Sequence, residues 1–528
     1  TMNSNNQGGS RGRSKSKELF TNNNNKHKKQ KTNHYKKNSP KVNPPIRFNI
    51  PRFSDDTNNN KHKKQKTNHY KKNSPKVNPP IRFNIPRFSD NTNNNNENIM
   101  SYRGYSFKKN NETIDYISPT AITPKEFYNK YVKERRPVVF SSSLDTIDEK
   151  WKGTKSHWSN DYLNRLTGNS TIRVEYRENE SGRFGEGKEK TMKMKEFLNK
   201  IKSGDKLHYL TTQDLKVDEE GRPEMMTSPI VELFNHGEFP LQPSILPNLI
   251  PFNLNLWFGN TKEGSSSGLH HDFHDNLYIL IRGKKRFRLY SPEDALNMYT
   301  KGTIIKVHEN GRINYKGQVT RADGADLLSD VALNASKCQD DAEKDLANAE
   351  QALRQGKVGA AEWVARAEKR LDDALDSVLS VQMDDNYDDN DYNNNNNNND
   401  KSSDEDKADG PLNFSKINLY LPEKIIQEKF PKFNNVRGTS CEVKSGEMLY
   451  LPAGWFHEVT SYSTNVNANM MDCTSGDNNN NDDNFGGHMA FNYWFHPPDN
   501  LFDSEENGFD SPYKSKFWAQ DFQSSLKK

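Results

Sequence analysis

The sequence has 528 residues, of which 31% are hydrophobic, and a mean hydropathy of -1.08. This length suffices for two or three average domains, but so polar a chain cannot form packed cores throughout. No apolar run reaches the ~18 residues that span a bilayer, and a secretory signal peptide is not recognisable, which argues against membrane and secreted classes. The net charge of +5 is mild. We expect a soluble intracellular protein, in the nucleus or the cytoplasm.

The cysteines support the same compartment. There are three, Cys338, Cys441 and Cys473, and they are widely spaced. An odd number at such spacings predicts neither a disulfide framework nor a CxxC zinc pair. A reducing environment is the natural interpretation.

Residues 1–100 form a basic tail rich in asparagine and lysine. Within it, KHKKQKTNHYKKNSPKVNPPIRFNIPRFSD occurs at 26–55 and again, unchanged, at 61–90, a period of 35 residues (61 − 26). The copies show no helical or strand periodicity, and two units are too few for a solenoid, so we predict disorder. Two interpretations stay open: a solvated tail, or a polybasic arm for nuclear import or nucleic-acid binding.

Globular sequence is predicted over 101–320. A helix should begin after Thr123, because Thr is a good N-cap and Pro124 suits the first helical position. RPVVF, TIRVEYRE, KLHYLTTQ and NLNLWFGN are typical of short strands, and MKMKEFLNKI is typical of a helix. Many short strands without regular alternation with helices predict a mainly β barrel or sandwich with flanking helices.

The segment GLHHDFHDN concentrates metal-binding side chains just before the apolar run LYILI. In an extended chain, His270 and Asp272 share one face and His271 points to the other. Two such groups provide part of a two-histidine, one-carboxylate metal site. The alternative is a helical zinc pair of His270 with His274, which Gly268 and the following apolar strand make less suitable.

The next predicted strand is KRFRLY, after a turn at Gly283. Period two places Lys285 on one face with Phe287 and Leu289. A lysine directed into an apolar barrel needs an anionic partner, and a ligand carboxylate is one candidate. The other interpretation is that the side chain extends outward from the strand end to reach water.

Residues 321–383 are predicted to form an inserted helical hairpin. Apolar and small residues recur there at spacings of three and four, and the pattern is interrupted at Gln355 and Gly356. The segment has no histidine, which argues against a catalytic role. Either it packs on itself and the barrel, or its 324–382 span docks a partner protein.

An acidic asparagine- and aspartate-rich linker, predicted disordered, follows at 384–411, and globular sequence resumes over 412–500. Within that second part, GEMLYLPAGWFHEVTSY predicts two strands joined by a turn, with Trp455, His457 and Val459 on one face. His457 is either a core histidine or the third metal ligand. An asparagine-rich loop at about 467–486 is again predicted disordered. The last segment, 501–528, predicts an aromatic-rich helix, and dimerisation through it stays open.

Together, GSSSGLHHDFHDNLYILIRGKKRFRLY and GEMLYLPAGWFHEVTSY resemble the two core motifs of the JmjC family. The likeness is to its small hydroxylases, related to the asparaginyl hydroxylase that inhibits hypoxia-inducible factor. It covers roughly 122–300 and 414–497. The separation of His270 and Lys285, 15 residues (285 − 270), matches that family's spacing between its first iron histidine and its 2-oxoglutarate lysine.

The resemblance implies a role for each matching residue. His270, Asp272 and His457 correspond to the Fe(II) ligands, and Lys285 to the partner of the distal carboxylate of 2-oxoglutarate. The other matching residues are cosubstrate-binding positions: Tyr209 and Ser267 at the same carboxylate, and Asn276 and Asn492 near the metal-bound end. The implied fold is a double-stranded β-helix, the cupin or jelly-roll architecture.

The implied reaction uses Fe(II), 2-oxoglutarate and O2 to oxidise a substrate C–H bond, most simply by hydroxylating a side chain of a protein, with RNA as a second substrate class. Demethylation of an N-methyl lysine or arginine is the alternative reaction. A further alternative, from another class, is a catalytically silent cupin scaffold that acts through the hairpin and the basic arm. The full set of four residues, His270, Asp272, His457 and Lys285, favours the enzyme.

Overall fold

The structure is a computed structural model, and it describes residues 99–141, 148–151, 158–179, 187–216, 224–261, 264–385, 410–464, 486–502 and 508–526. The basic tail with its repeat, the acidic linker up to residue 409, and nearly all of the 467–486 loop lie outside the described residues. Cys473 lies there too. The predictions for these segments therefore stay predictions.

Strands dominate the described part of the chain. They are β1 (Asp115–Ile117), β2 (Val138–Phe140), β3 (Thr171–Tyr176), β4 (Lys188–Lys193), β5 (His208–Leu210), β6 (Pro251–Gly259), β7 (Ser265–Ser266), β8 (His270–His271), β9 (Asp275–Arg282), β10 (Lys284–Tyr290), β11 (Ile304–Val307), β12 (Ile313–Tyr315), β13 (Gly438–Lys444), β14 (Met448–Leu451), β15 (Phe456–Tyr462) and β16 (His488–Phe495). The α-helices are α1 (Pro124–Phe127), α2 (Asn160–Thr167), α3 (Met194–Lys202), α4 (Ile230–Asn235), α5 (Ser329–Arg354), α6 (Ala360–Asp385), α7 (Glu423–Lys429) and α8 (Phe517–Ser525).

Two sheets form the barrel. The larger has the order β1-β2-β14-β9-β16-β6-β5-β3-β4, and the smaller has β13-β10-β15-β7 with β8 also paired to β15. Apart from the parallel β1–β2 pair, the strands of these sheets pair antiparallel. This is the predicted double-stranded β-helix with flanking helices.

Strand β9 shows how the core is divided. All of its residues are buried, as expected for a strand covered on both faces. Leu277, Ile279 and Ile281 pack in a cluster with the flanking helices, whereas Tyr278 and Leu280 pack between the two sheets. The interior of the barrel is therefore the face that carries Tyr278.

The helix predicted after Thr123 is present, with a reciprocal capping box. The Thr123 hydroxyl accepts from the backbone N–H of Glu126, and the Glu126 carboxylate accepts from the N–H of Thr123 at 2.8 Å. After one regular turn the chain continues as a π-helical turn, Tyr128–Val132, before β2. The predicted strands and the predicted helix at MKMKEFLNKI correspond to β2, β3, β5, β6 and α3.

The inserted segment folds into the predicted pair of helices, α5 and α6, with the break at Gly356, whose φ is +68°. Fewer residues are buried between the two helices than the apolar pattern predicts. Buried alanines line the interface, including Ala342 and Ala349, whereas Val331 and Leu353 are exposed. Alanine stripes let two helices approach closely, so the larger residues of the pattern remain at the edge.

The C-terminal segment forms the helix α8, as expected. The ring of Trp518 stacks on His496, 3.5 Å between centroids, just after the end of β16. Its indole N–H donates to the backbone oxygen of Asp323 at 3.1 Å. Among all the helices described, none has the length and apolar character that a bilayer crossing requires.

Candidate metal and cosubstrate site

Three potential metal ligands meet inside the barrel. His270 lies in β8 and pairs across the sheet with His457 in β15, and Asp272 follows β8 directly. The Nε2 atoms of His270 and His457 lie 4.0 and 3.8 Å from the Asp272 carboxylate, and ligand atoms of all three residues fall within 4.8 Å of one another. The extended geometry predicted from the sequence therefore brings the proposed triad together.

The backbone fixes which nitrogen each histidine presents. His270 Nδ1 lies 3.0 Å from the carbonyl oxygen of Gly268, and His457 Nδ1 lies 2.9 Å from that of Trp455. Since a carbonyl only accepts, both Nδ1 atoms carry the proton, which leaves both Nε2 lone pairs directed at the common centre. Burial, and secondarily the neighbouring His457, lower the pKa of His270 to about 4. A neutral imidazole is the form that binds a metal.

The alternative zinc pair is not formed. His274 is stacked on Phe252, with 4.1 Å between ring centroids, and it belongs to no metal-compatible group among the described residues. His271 faces away from the triad as predicted. It is fully buried, and its Nε2 lies 2.7 Å from the hydroxyl of Tyr315.

The two predicted asparagines form a hydrogen-bonded chain that ends at the triad. The indole N–H of Trp257 donates to Asn492 at 2.8 Å, and the Asn492 amide donates to Asn276 at 3.0 Å. The Asn276 amide in turn donates to the Asp272 carboxylate at 3.4 Å. Partners of this kind orient a ligating carboxylate.

Lys285 is buried, with 1% of its surface exposed, so the interpretation that it reaches out to water is wrong. Its ammonium donates to Ser461 Oγ at 2.5 Å and to His488 Nδ1 at 3.1 Å. No carboxylate in the described part of the chain forms an ion pair with it. Burial therefore lowers the pKa of Lys285 to about 7. Sequence reasoning missed Ser461 and His488, because only strand register places them beside the lysine.

The other two predicted cosubstrate residues differ in placement. The ring of Tyr209 lies 5.7 Å from that of His488, next to Lys285, and a Cβ at Gly259 would overlap it. The hydroxyl of Ser267 is engaged by backbone: it accepts from Val459 N–H at 2.9 Å and donates to the Gly268 oxygen at 2.9 Å. In this arrangement Ser267 holds β15 in register rather than presenting a free hydroxyl to the lysine.

A buried ion pair that sequence reasoning also missed fixes the loops around the triad. The Arg135 guanidinium binds both carboxylate oxygens of Asp275, at 2.8 and 2.5 Å, and both side chains are fully buried. Asp275 also accepts from Tyr450 and from the N–H of Ala453, and the Trp455 indole donates to the Arg135 oxygen. The pair ties the start of β9 to the turn before His457.

Comparisons with known proteins agree with this geometry. A family model described as a cupin-like domain matches residues 124–501. JmjC domain-containing protein 4 of Schizosaccharomyces pombe is 33% identical over 461 residues, which cover 79% of this chain and 90% of that protein. The chain belongs to the cupin-like JmjC family.

Shorter matches connect this JmjC protein to others. Lysine-specific demethylase 8 of Danio rerio is 25% identical over 194 residues, 35% of this chain and 43% of that protein. tRNA wybutosine-synthesizing protein 5 of Homo sapiens is 24% identical over 192 residues, 35% and 58% of the two chains. The family is of the 2-oxoglutarate-dependent oxygenase type, and the names of its members span different substrates.

Proposed function

We propose that this JmjC protein is an Fe(II)- and 2-oxoglutarate-dependent dioxygenase that hydroxylates a side chain of a protein. The observation that carries the proposal is the pairing of two features in one barrel. One is the triad of His270, Asp272 and His457, and the other is the buried Lys285, which has no anionic partner among the described residues.

A scaffold would not keep such a lysine. Burying an unpaired ammonium costs several kcal/mol, on the order of 3–5, and an apolar residue would avoid the cost. Lys285 pairs with Ser461, four residues from His457 and on the same face of β15. One face of β15 thus carries a metal ligand at one position and the contact to a buried cation four residues further on, an arrangement that suits a small dicarboxylate.

Each part of the site then has a task. His270, Asp272 and His457 would hold Fe(II), which together with 2-oxoglutarate and O2 would supply the oxidant for an unactivated C–H bond. Asn492 and Asn276 hold the Asp272 carboxylate in place. Lys285 binds the distal carboxylate, and the apolar residues between the sheets exclude water.

Hydroxylation of a protein is the leading reaction because the two core motifs resemble those of the small JmjC hydroxylases. Demethylation is the second candidate, since one relative is named a lysine-specific demethylase. The two reactions differ in product: only demethylation releases formaldehyde.

The test measures conversion of 2-oxoglutarate to succinate by the full chain with Fe(II) and O2, together with formaldehyde and the oxygen content of a peptide mixture. We compare wild type with His270→Ala and with His236→Ala, a control at an exposed histidine. The proposal expects iron-dependent succinate formation and oxygen-enriched peptides from wild type and the control, and neither from His270→Ala. Formaldehyde in step with succinate would establish the demethylase instead. A folded wild type that binds neither Fe(II) nor 2-oxoglutarate would favour the scaffold.

A further inference from the structure

The inserted hairpin of α5 and α6 is a long two-helix unit whose larger apolar residues are incompletely covered. Each helix has 26 residues, or about 39 Å at 1.5 Å per residue. Alanines fill the contact between the helices, among them Ala342 of α5 and Ala367 of α6. Long helices of this kind are stabilised mainly by burial of their apolar faces, and in helical bundles further helices complete that burial.

The contact between the helices has two sides, which an ion pair distinguishes. Arg370 binds Asp345, and each lies three positions after one of these two alanines. At about 100° per residue, the position three after an alanine lies on one side of the alanine stripe, and the position four after it lies on the other. Leu346 and Leu371 are the residues four after, so they lie together on the side opposite the ion pair.

The side with Leu346 and Leu371 carries an apolar strip that continues along α6. Val364, Leu375 and Leu379 belong to it, at spacings of seven and four residues from Leu371 and from each other. The first three of the five in chain order are half-buried, whereas Leu375 and Leu379 are 38% and 50% exposed. From Val364 to Leu379 the strip is about 22 Å long, four turns of helix. We call these five residues the hairpin groove.

Acidic side chains border the hairpin groove on both helices. On α6 they recur every four residues beside the strip, and on α5 they lie one turn before and one turn after Leu346: Glu368, Asp372 and Asp376, with Glu343 and Glu350. All five are exposed. In the described part of the chain only Glu350 has an ion-pair partner, Arg354 at 3.4 Å. The basic side chains of α6 point away from the groove: Arg366, Lys369 and Arg370.

This distribution of charge selects what can bind. A second copy of the hairpin would bring one acidic border against another, and the phosphates of nucleic acids or of an anionic membrane would be repelled. An extended chain would leave backbone N–H and C=O groups unpaired against apolar side chains, whereas a helix satisfies them internally. The groove therefore suits a helix that carries positive charge beside an apolar stripe.

We infer that the hairpin groove binds an amphipathic helix of a partner protein, whose apolar stripe is bordered on both sides by lysine or arginine. The bound helix packs between α5 and α6 as the third helix of a bundle, and its basic residues pair with the acidic borders. This interaction is separate from the oxygenase reaction, since no residue of the groove belongs to the metal and cosubstrate site.

The test uses three fluorescent peptides of about 20 residues, long enough to span the groove. The first has an apolar helical stripe bordered by lysine and arginine, and the second has the same stripe bordered by glutamate. The third has the composition of the first in scrambled order. Binding to the full-length protein is followed by fluorescence anisotropy at low and high salt.

One pair of variants tests the charge. Glu368→Lys with Asp372→Lys reverses two charges at the groove. Asp341→Lys with Asp373→Lys makes the same change in net charge on the other side of the hairpin, and all four residues are exposed. The groove variant should bind the basic peptide about tenfold more weakly and the glutamate-bordered peptide more tightly than wild type does. The control should bind like wild type.

A second pair tests the apolar strip. Leu375→Gln with Leu379→Gln removes exposed apolar surface from the groove, and Val358→Gln is the control at the exposed connection between the helices. Circular dichroism checks that helix content is kept. The leucine variant should lose about tenfold or more in affinity for the basic peptide, and the control none. High salt should weaken wild-type binding without abolishing it, because the apolar contact remains.

Four outcomes overturn the inference. The scrambled peptide binds wild type as tightly as the basic amphipathic one, which would mean attraction of any polycation. The two charge variants weaken binding equally, or the leucine variant binds like wild type. Sedimentation shows a dimer of wild type that the leucine variant abolishes, which would make a second copy the occupant. Folded wild type binds none of the peptides. Because each readout is binding or mass, none of these results bears on the oxygenase assignment.

Discussion

Replacing Lys285 with Met removes the buried cation and keeps a side chain of similar length. If Lys285 pairs with the distal carboxylate of 2-oxoglutarate, the loss of a desolvated charge pair costs about 2–5 kcal/mol. That range corresponds to roughly a thirtyfold to five-thousandfold weaker affinity. Iron binding should remain, because Lys285 contacts Ser461 and His488 and none of the three triad residues.

The same residue gives a proton signature. Burial lowers the pKa of Lys285 from 10.5 to about 7 in the free protein, so at pH 8 most of the side chain is neutral. A carboxylate partner raises that pKa again, and 2-oxoglutarate binding at pH 8 should therefore take up close to one proton. Calorimetric titration in buffers of different ionisation enthalpy measures this uptake.

The same lysine should make the folding stability of the protein without 2-oxoglutarate depend on pH. The pKa of Lys285 is lower in the folded than in the unfolded state, so between pH 7 and 10.5 the folded state binds fewer protons. The destabilisation caused by burying this lysine is therefore greatest below pH 7 and decreases as the pH rises. The shift corresponds to roughly 5 kcal/mol (3.5 × 1.36). Without 2-oxoglutarate, Lys285→Met should therefore be more stable than wild type at pH 6, and the difference should fall by pH 10.

Lys284→Met is the control for all three measurements. Lys284 is its neighbour on β10 but is exposed, and its pair with Glu442 at 3.0 Å is worth at most about 1 kcal/mol. It should leave 2-oxoglutarate affinity and proton uptake unchanged. Equal 2-oxoglutarate affinity in wild type and Lys285→Met, with no proton uptake by wild type, would refute the assignment of this lysine.

Other predictions follow from the contacts around the site. Asn276→Ala removes the amide that steadies the Asp272 carboxylate, and anaerobic titration should show iron affinity lower by about 10- to 100-fold. Arg135→Met leaves a buried carboxylate unpaired and should lower the free energy of unfolding in urea by about 3–5 kcal/mol. Ala342→Leu should overfill the hairpin interface and cost about 1–3 kcal/mol, whereas Ala347→Leu, on the exposed face, should cost little.

The sequence alone predicted the features that depend on local periodicity. Period two placed His270 and Asp272 on one face and Lys285 among core residues, and the structure places them so. The capped helix after Thr123 and the interruption of the hairpin at Gly356 were also predictable, because N-caps and left-handed glycines act within a few residues. These features depend on the chain's immediate neighbours.

Only the tertiary structure could decide which distant residues meet. The Arg135–Asp275 pair joins residues 140 positions apart, and the Lys285–Ser461 contact joins residues 176 apart. Strand register also turned Ser267 toward backbone, and it left Nδ2 of Asn255 and Nε1 of Trp494 without a hydrogen-bond partner in the described part of the chain. The local sequence pattern determines which face of a strand a side chain occupies. Which strand lies opposite is determined by closure of the barrel, because hydrogen bonds and burial must be satisfied across the whole fold at once.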